Sequence, residues 1–132
     1  MVSALSQDQT AQFQRRLKTR REELLEAIQQ ELVESDSERY LDLAGRVRDA
    51  GEDSVADLLS DLDIAEVDRH IQELREVEDA LQRIAMGTYG VCADCTEPIE
   101  ISRLEAYPTA RRCYDDQKRF EETHAGTGRP TL

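Results

Sequence analysis

The chain has 132 residues, a formal net charge of −12, 35% charged and 39% hydrophobic residues, 5% aromatics and no tryptophan. That length suits one domain with at most an extended appendage, and so little large apolar material excludes a thick enzyme-like core. Binding to DNA through its phosphates depends on Lys and Arg, so the acidic balance argues against direct, sequence-specific DNA recognition.

The amino terminus lacks the basic start and apolar middle of a signal peptide, and no apolar run approaches a membrane span, so a cytoplasmic protein is expected. Ser6 is a candidate cap for a first helix. Phe13, Leu17, Leu24, Ile28 and Leu32 recur at fours and sevens, the stripe of one helical face. The pattern weakens at Ser35-Asp36-Ser37 and resumes with Tyr40, Leu43 and Val47. Asp49-Ala50-Gly51-Glu52-Asp53-Ser54 is acidic and contains glycine, the natural place for the chain to reverse.

A second stripe follows in Ile64, Val67, Ile71, Leu74, Val77, Leu81 and Ile84, stopped by Gly87 and Gly90. The two stripes suit a coiled-coil pair, so residues 1–86 are expected to form a long antiparallel helical hairpin with its acidic turn near 49–54 at the far end. At 1.5 Å rise per residue, thirty-odd residues extend roughly 50 Å. The stripes hold such an arm together. Turning a hairpin explains Gly51 but not the gathered carboxylates of Asp49, Glu52 and Asp53, which makes them candidate functional residues.

Three cysteines, two of them in Cys92-x-x-Cys95, read as metal or redox chemistry in a reducing compartment rather than as a disulfide framework. The two sulfurs of such a knuckle can reach one ion. After seventeen intervening residues comes Cys113, with Asp116 where a fourth ligand would complete a tetrahedral zinc site. Three thiolates with one carboxylate should bind zinc more weakly than four thiolates. Without metal, the cysteines would be small, partly buried residues of the globule, and a solvent-reachable Cys92–Cys95 pair would be open to oxidation. Residues 115–123 can close the module as a helix anchored by Phe120, leaving 124–132 as a tail. His70 and His124 have no partner suggested by spacing and read as surface residues.

The segment from Tyr89 to Asp116 resembles the DksA/TraR family. The resemblance rests on Gly90, Cys92, Cys95, Ile99, Arg103, Leu104, Ala106, Pro108 and Cys113, in ungapped spacing. It departs from the family pattern at Thr96, where glycine is usual, and at Asp116, where the fourth cysteine is usual. The resemblance implies a mainly α protein in which the coiled-coil arm (1–86) is attached to a small zinc-finger-like module with a C-terminal helix (87–123). It also implies a bacterial transcription regulator that binds RNA polymerase at its secondary channel and modulates initiation with an acidic tip.

Counted back from Cys92, the tip falls on Asp49 and Glu52, with Ser54 at a position usually occupied by alanine; one slip moves the second acid to Asp53. The cations by which relatives bind ppGpp are replaced here by Glu76, Tyr107 and Gln117, so little ppGpp synergy is expected. A monomer and no membrane partner are expected. An enzyme is disfavoured, since neither a phosphate-binding glycine loop nor a His-containing nucleophile arrangement is present. A cytoplasmic thiol or zinc redox sensor and a non-catalytic coiled-coil adaptor remain as rivals.

Overall fold

The computed structural model describes residues 4–35, 37–60 and 65–123, and its regular elements are helices α1 (Gln7–Glu34), α2 (Glu38–Arg48), α3 (Val55–Leu58), α4 (Ala65–Met86), α5 (Ile101–Ala106) and α6 (Tyr114–Thr123). Two compact units divide them: one joins the described residues up to Phe13 with those from Arg83 onward, and the other spans Gln14–Gln82. Residues 1–13 and 83–86, read from sequence as part of the arm, thus belong with the cysteine-bearing unit. The expected tail at 124–132, His124 and Ile64 of the second stripe lie outside the described residues.

Helix α1 begins where Ser6 predicts. The Ser6 hydroxyl accepts from the Gln9 backbone N–H (3.1 Å), and the Gln9 side chain accepts from the Ser6 N–H (2.9 Å). This reciprocal capping box satisfies two amide donors that the first turn leaves without partners. At the other end of the second long helix, Gly87 takes φ +78°. There the N–H of Thr88 donates to Arg83 O (2.9 Å) and that of Gly87 to Ile84 O (3.2 Å), a Schellman closure that needs a left-handed residue.

In the unit spanning 14–82, α1 buries Leu17, Leu24, Ile28 and Leu32, and α4 buries Val67, Ile71, Leu74, Val77 and Ala80. Each large side chain withdrawn from water contributes about 1.5–3 kcal/mol before entropy is subtracted. The helices run antiparallel: Glu31 meets His70, Arg20 meets Glu73, and Arg21 meets Glu78. The long antiparallel hairpin read from the stripes is therefore present as α1 against α4. Leu81 and Ile84, expected in the stripe, are only half-buried, and Ala80 is buried in full. His70 is a correction: it is half-buried and hydrogen-bonded to Glu31 across the helix pair.

The acidic turn forms at the expected residues but in a different place. Asp49 ends α2, and Gly51 turns the chain with φ +60°. Gly51 O and Asp53 O then accept from Arg21 of α1. Arg21 lies thirteen residues before the end of α1, about 20 Å along its axis at 1.5 Å per residue. The eleven residues of α2, roughly 16 Å long, therefore return alongside the distal half of α1. The segment 49–54 sits against the middle of the α1–α4 pair rather than at its far end. The cause is polar: the paired charges of Arg21 and Glu78 offer partners to the turn's backbone groups, and those groups need partners.

Candidate metal centre

Two turns of the cysteine-bearing unit bring the ligand candidates together. The first is the knuckle around Cys92–Thr96. Cys92 N–H donates to Glu97 O (2.8 Å), Thr96 N–H to Cys92 O (3.1 Å), and Ile99 N–H to Gly90 O (2.8 Å), with Val91 and Pro98 forming an antiparallel bridge. These bonds fold the Cys-x-x-Cys segment back on itself so that both sulfurs point to one side. Thr96 has φ +63°, the only non-glycine in the left-handed region among the described residues. The departure at this position noted from sequence thus falls where glycine carries no steric cost.

The second turn leads into α6. Gln117 N–H donates to Cys113 O (2.9 Å), placing Cys113 at the helix start and Asp116 in its first turn. Ala93 N–H donates to Arg111 O (2.8 Å), which ties the two turns together. The family-signature positions hold this frame. Arg103 donates through Nε to Arg112 O (2.9 Å), beside Cys113, and Leu104 is fully buried. The Tyr89 hydroxyl donates to Pro108 O (2.7 Å), and the Tyr89 ring lies 5.9 Å from that of Phe13. Ala106 is exposed. Arg112 donates to Asp94 (2.8 Å) and stacks 4.0 Å above the ring of Phe120, the anchor expected for the closing helix.

One ligand atom from each of Cys92, Cys95, Cys113 and Asp116 lies within 4.8 Å of every other. The sulfurs of Cys95 and Cys113 are 3.9 Å apart, and the Cys92 thiol donates to Asp116 Oδ2 at 3.1 Å. Two thiolates at about 2.3 Å from a tetrahedral zinc are separated by roughly 3.8 Å, so this donor set fits the ion. Asp116 is the only buried charged side chain among the described residues, and its other oxygen accepts from Arg119 (2.8 Å). A second-sphere cation of this kind orients the carboxylate for a ligand. All four residues proposed from spacing are thus brought together.

Protonation within the cluster follows its hydrogen bonds. The thiols of Cys95 and Cys92 hold the Asp116 carboxyl down to about 2, and Asp116 in turn pushes Cys95 up to about 12. Burial raises Cys113. Burial would also raise Cys92, but the backbone N–H groups of Cys95, Cys113 and Asp94 outweigh it and pull this thiol down. Without metal, one carboxylate is therefore surrounded by thiol donors. A divalent cation would replace the shared protons.

The other residues singled out from sequence are located as follows. Asp49, Glu52 and Asp53 all have exposed side chains, and only backbone atoms of the turn engage Arg21. Glu76 and Tyr107 are exposed and Gln117 is half-buried. Sequence reasoning missed Arg21 and Glu78, and it placed Ser54 in the turn without its bonds to Glu78 and to the Asp57 N–H. Opposite charges at 21 and 78, on either side of the acidic turn, were the available signal.

A family model described as the prokaryotic dksA/traR C4-type zinc finger matches residues 87–122. The chain is 30% identical over 111 residues to the RNA polymerase-binding transcription factor DksA of Caulobacter vibrioides, covering 83% of this chain and 73% of that protein. It is 34% identical over 122 residues to general stress protein 16O of Bacillus subtilis, covering 90% and 72%. Among solved structures, transcription factor DksA2 from Pseudomonas aeruginosa superposes with a TM-score of 0.61 at 29% identity, covering 91% of this chain and 88% of that one.

Proposed function

The chain belongs to the DksA/TraR family, and from that premise we propose that it is a non-enzymatic transcription regulator that binds RNA polymerase. The observation that carries this reading is the extent of the likeness: the relative named as an RNA polymerase-binding transcription factor is matched over 83% of this chain, arm as well as cysteine module. No described helix is long and apolar enough to cross a membrane. The protein acts in the cytoplasm as a monomer, without reading DNA sequence itself.

The arm enters the polymerase secondary channel, and the carboxylates of Asp49, Glu52 and Asp53 modulate initiation electrostatically. A carboxylate about 4 Å from a cation gains roughly 4 kcal/mol at an effective dielectric of 20. That is enough to shift the balance between two positions of a mobile element. The exposed side chains of all three residues are free of the turn's own bonding to Arg21, which supports this role. Cys92, Cys95, Cys113 and Asp116 would hold zinc, which when bound ties the knuckle to the start of α6. Glu76, Tyr107 and Gln117 offer no cation to a polyphosphate, so ppGpp adds little through those positions.

Retention of the purified protein on immobilised core polymerase tests the reading. Capture of the wild type, with equal capture of Asp49→Asn/Glu52→Gln/Asp53→Asn but loss of its effect on initiation, is the expected result. Absence of capture would contradict polymerase binding and favour a coiled-coil adaptor. Cys92 is buried, so the solvent-reachable Cys92–Cys95 pair expected of a thiol sensor is not present; the 3.9 Å approach of the Cys95 and Cys113 sulfurs supports that second reading with a different pair. Capture that changes on oxidation and recovers on reduction would support it.

A further inference from the structure

We propose that Arg21 and Glu78 form a latch that holds the acidic turn against the side of the arm, and that opening it swings α2 and α3 outward to carry the turn to the end of a longer hairpin. The inference rests on the reading of the turn as the acting element. It adds a conformational control to that reading.

The latch is a half-buried ion pair between α1 and α4, with Arg21 Nε 3.1 Å from Glu78 Oε2. Arg21 spends its remaining nitrogens on the turn, donating to Gly51 O (2.9 Å) and Asp53 O (2.8 Å). Glu78 accepts from the Ser54 hydroxyl (2.9 Å) and from the N–H groups of Val55 (3.0 Å) and Ala56 (3.2 Å). Two charged side chains thus make five hydrogen bonds to residues 51–56, four of them to backbone atoms. Charge-assisted bonds of this kind are stronger than neutral ones. The grip leaves the acidic side chains in solvent.

Two features make this a latch rather than a fixed part of the fold. First, the helix pair already has the register of the extended form. The partners Arg21 and Glu78, and likewise Glu31 and His70, are centred near residue 50, inside the turn itself. Arg20 reaches further along α4 to Glu73, a pair centred near residue 46. A single hairpin reversing at 49–54 would keep that pairing, so opening does not slide α1 against α4.

Second, the apolar residues buried by the swinging segment are Ala44, Val47, Val55, Ala56 and Leu59. Ala44 with Leu59, and Val47 with Val55 or Ala56, are centred on the same turn. They would face one another in the extended hairpin. Apolar burial is then retained in both forms, and the polar contacts of the latch decide between them.

The experiment measures a distance within the arm of the full-length protein. Spin labels are attached to keto-bearing residues introduced at the exposed positions Glu22 and Glu52, which spares the cysteines. In the latched form these positions are neighbours, and the distance lies below about 25 Å. In the open form about thirty helical residues separate them, or roughly 45 Å. The wild type is expected to give the short distance, and Arg21→Ala/Glu78→Ala a new maximum near 45 Å with unchanged helical circular dichroism. The milder Glu78→Gln is expected to give both.

A short distance retained in the double variant would overturn the proposal, as would a wild type showing only the long one. Loss of helix in both variants, with a broad distribution, would also overturn it, by making the pair part of the fold. No polymerase is present. Failure of polymerase capture therefore leaves these outcomes intact, and each reading fails separately.

Discussion

Replacing Thr96 by glycine should stabilise the protein, because Thr96 holds φ +63° directly after the second cysteine of the knuckle. An L-residue with a β-carbon in this region costs roughly 1–2 kcal/mol relative to glycine. Glycine gives back about 0.5–1 kcal/mol through the greater freedom of its unfolded chain. The exposed bond from the Thr96 hydroxyl to Cys95 O (2.6 Å) is also lost, a minor term because water replaces it. The net gain is about 0.5–1 kcal/mol. For a chain of this size that corresponds to a rise of roughly 2–5 °C in Tm. Urea unfolding at a fixed free zinc concentration provides the assay, since any difference in bound metal would otherwise shift stability by mass action. Thr96→Ala is the control, because alanine keeps the β-carbon and the strain. If alanine stabilised as much as glycine, or glycine destabilised, the strain at this position would not be the operative cause.

Stoichiometric zinc is expected in protein purified without chelator. Asp116→Ala should lower its affinity at least tenfold and Asp116→Cys raise it, as read by competition with a chromogenic chelator. In the metal-free protein the Asp116 carboxyl is held at about 2 against an ordinary 3.8, so its contribution to stability is complete above about pH 4 and lost as pH falls towards 2. Acid unfolding of Asp116→Asn should lack that component. Arg20→Ala removes the ion pair with Glu73 (2.7 Å), but both side chains are about two-fifths exposed, so the loss should be at most about 1 kcal/mol by urea unfolding.

The helix pair was legible because burial imposes a period. Leu17, Leu24, Ile28 and Leu32 on one helix, and Val67, Ile71, Leu74 and Val77 on the other, mark the inward faces by spacing alone. The gathering of Cys92, Cys95, Cys113 and Asp116 was legible because two x-x-spaced donor pairs place their ligand atoms on two short turns. The weakening of the pattern at 35–37 marked the interruption between α1 and α2, but not the return of the chain. That return depends on Arg21 and Glu78 bonding to carbonyls and amides, which every residue possesses and no pattern of side chains announces. His70 was misread for a related reason. Its partner Glu31 lies 39 residues away in sequence, and only the antiparallel pairing brings the two together. Thr96 showed as a departure from a motif, but its meaning resides in a backbone angle.

A photocrosslinking residue in place of Glu52 tests polymerase regulation by the acidic turn most directly. In a complex with core polymerase, irradiation should join it to segments lining the secondary channel. Adducts confined to the outer surface, or none while the complex forms, would contradict insertion of the turn.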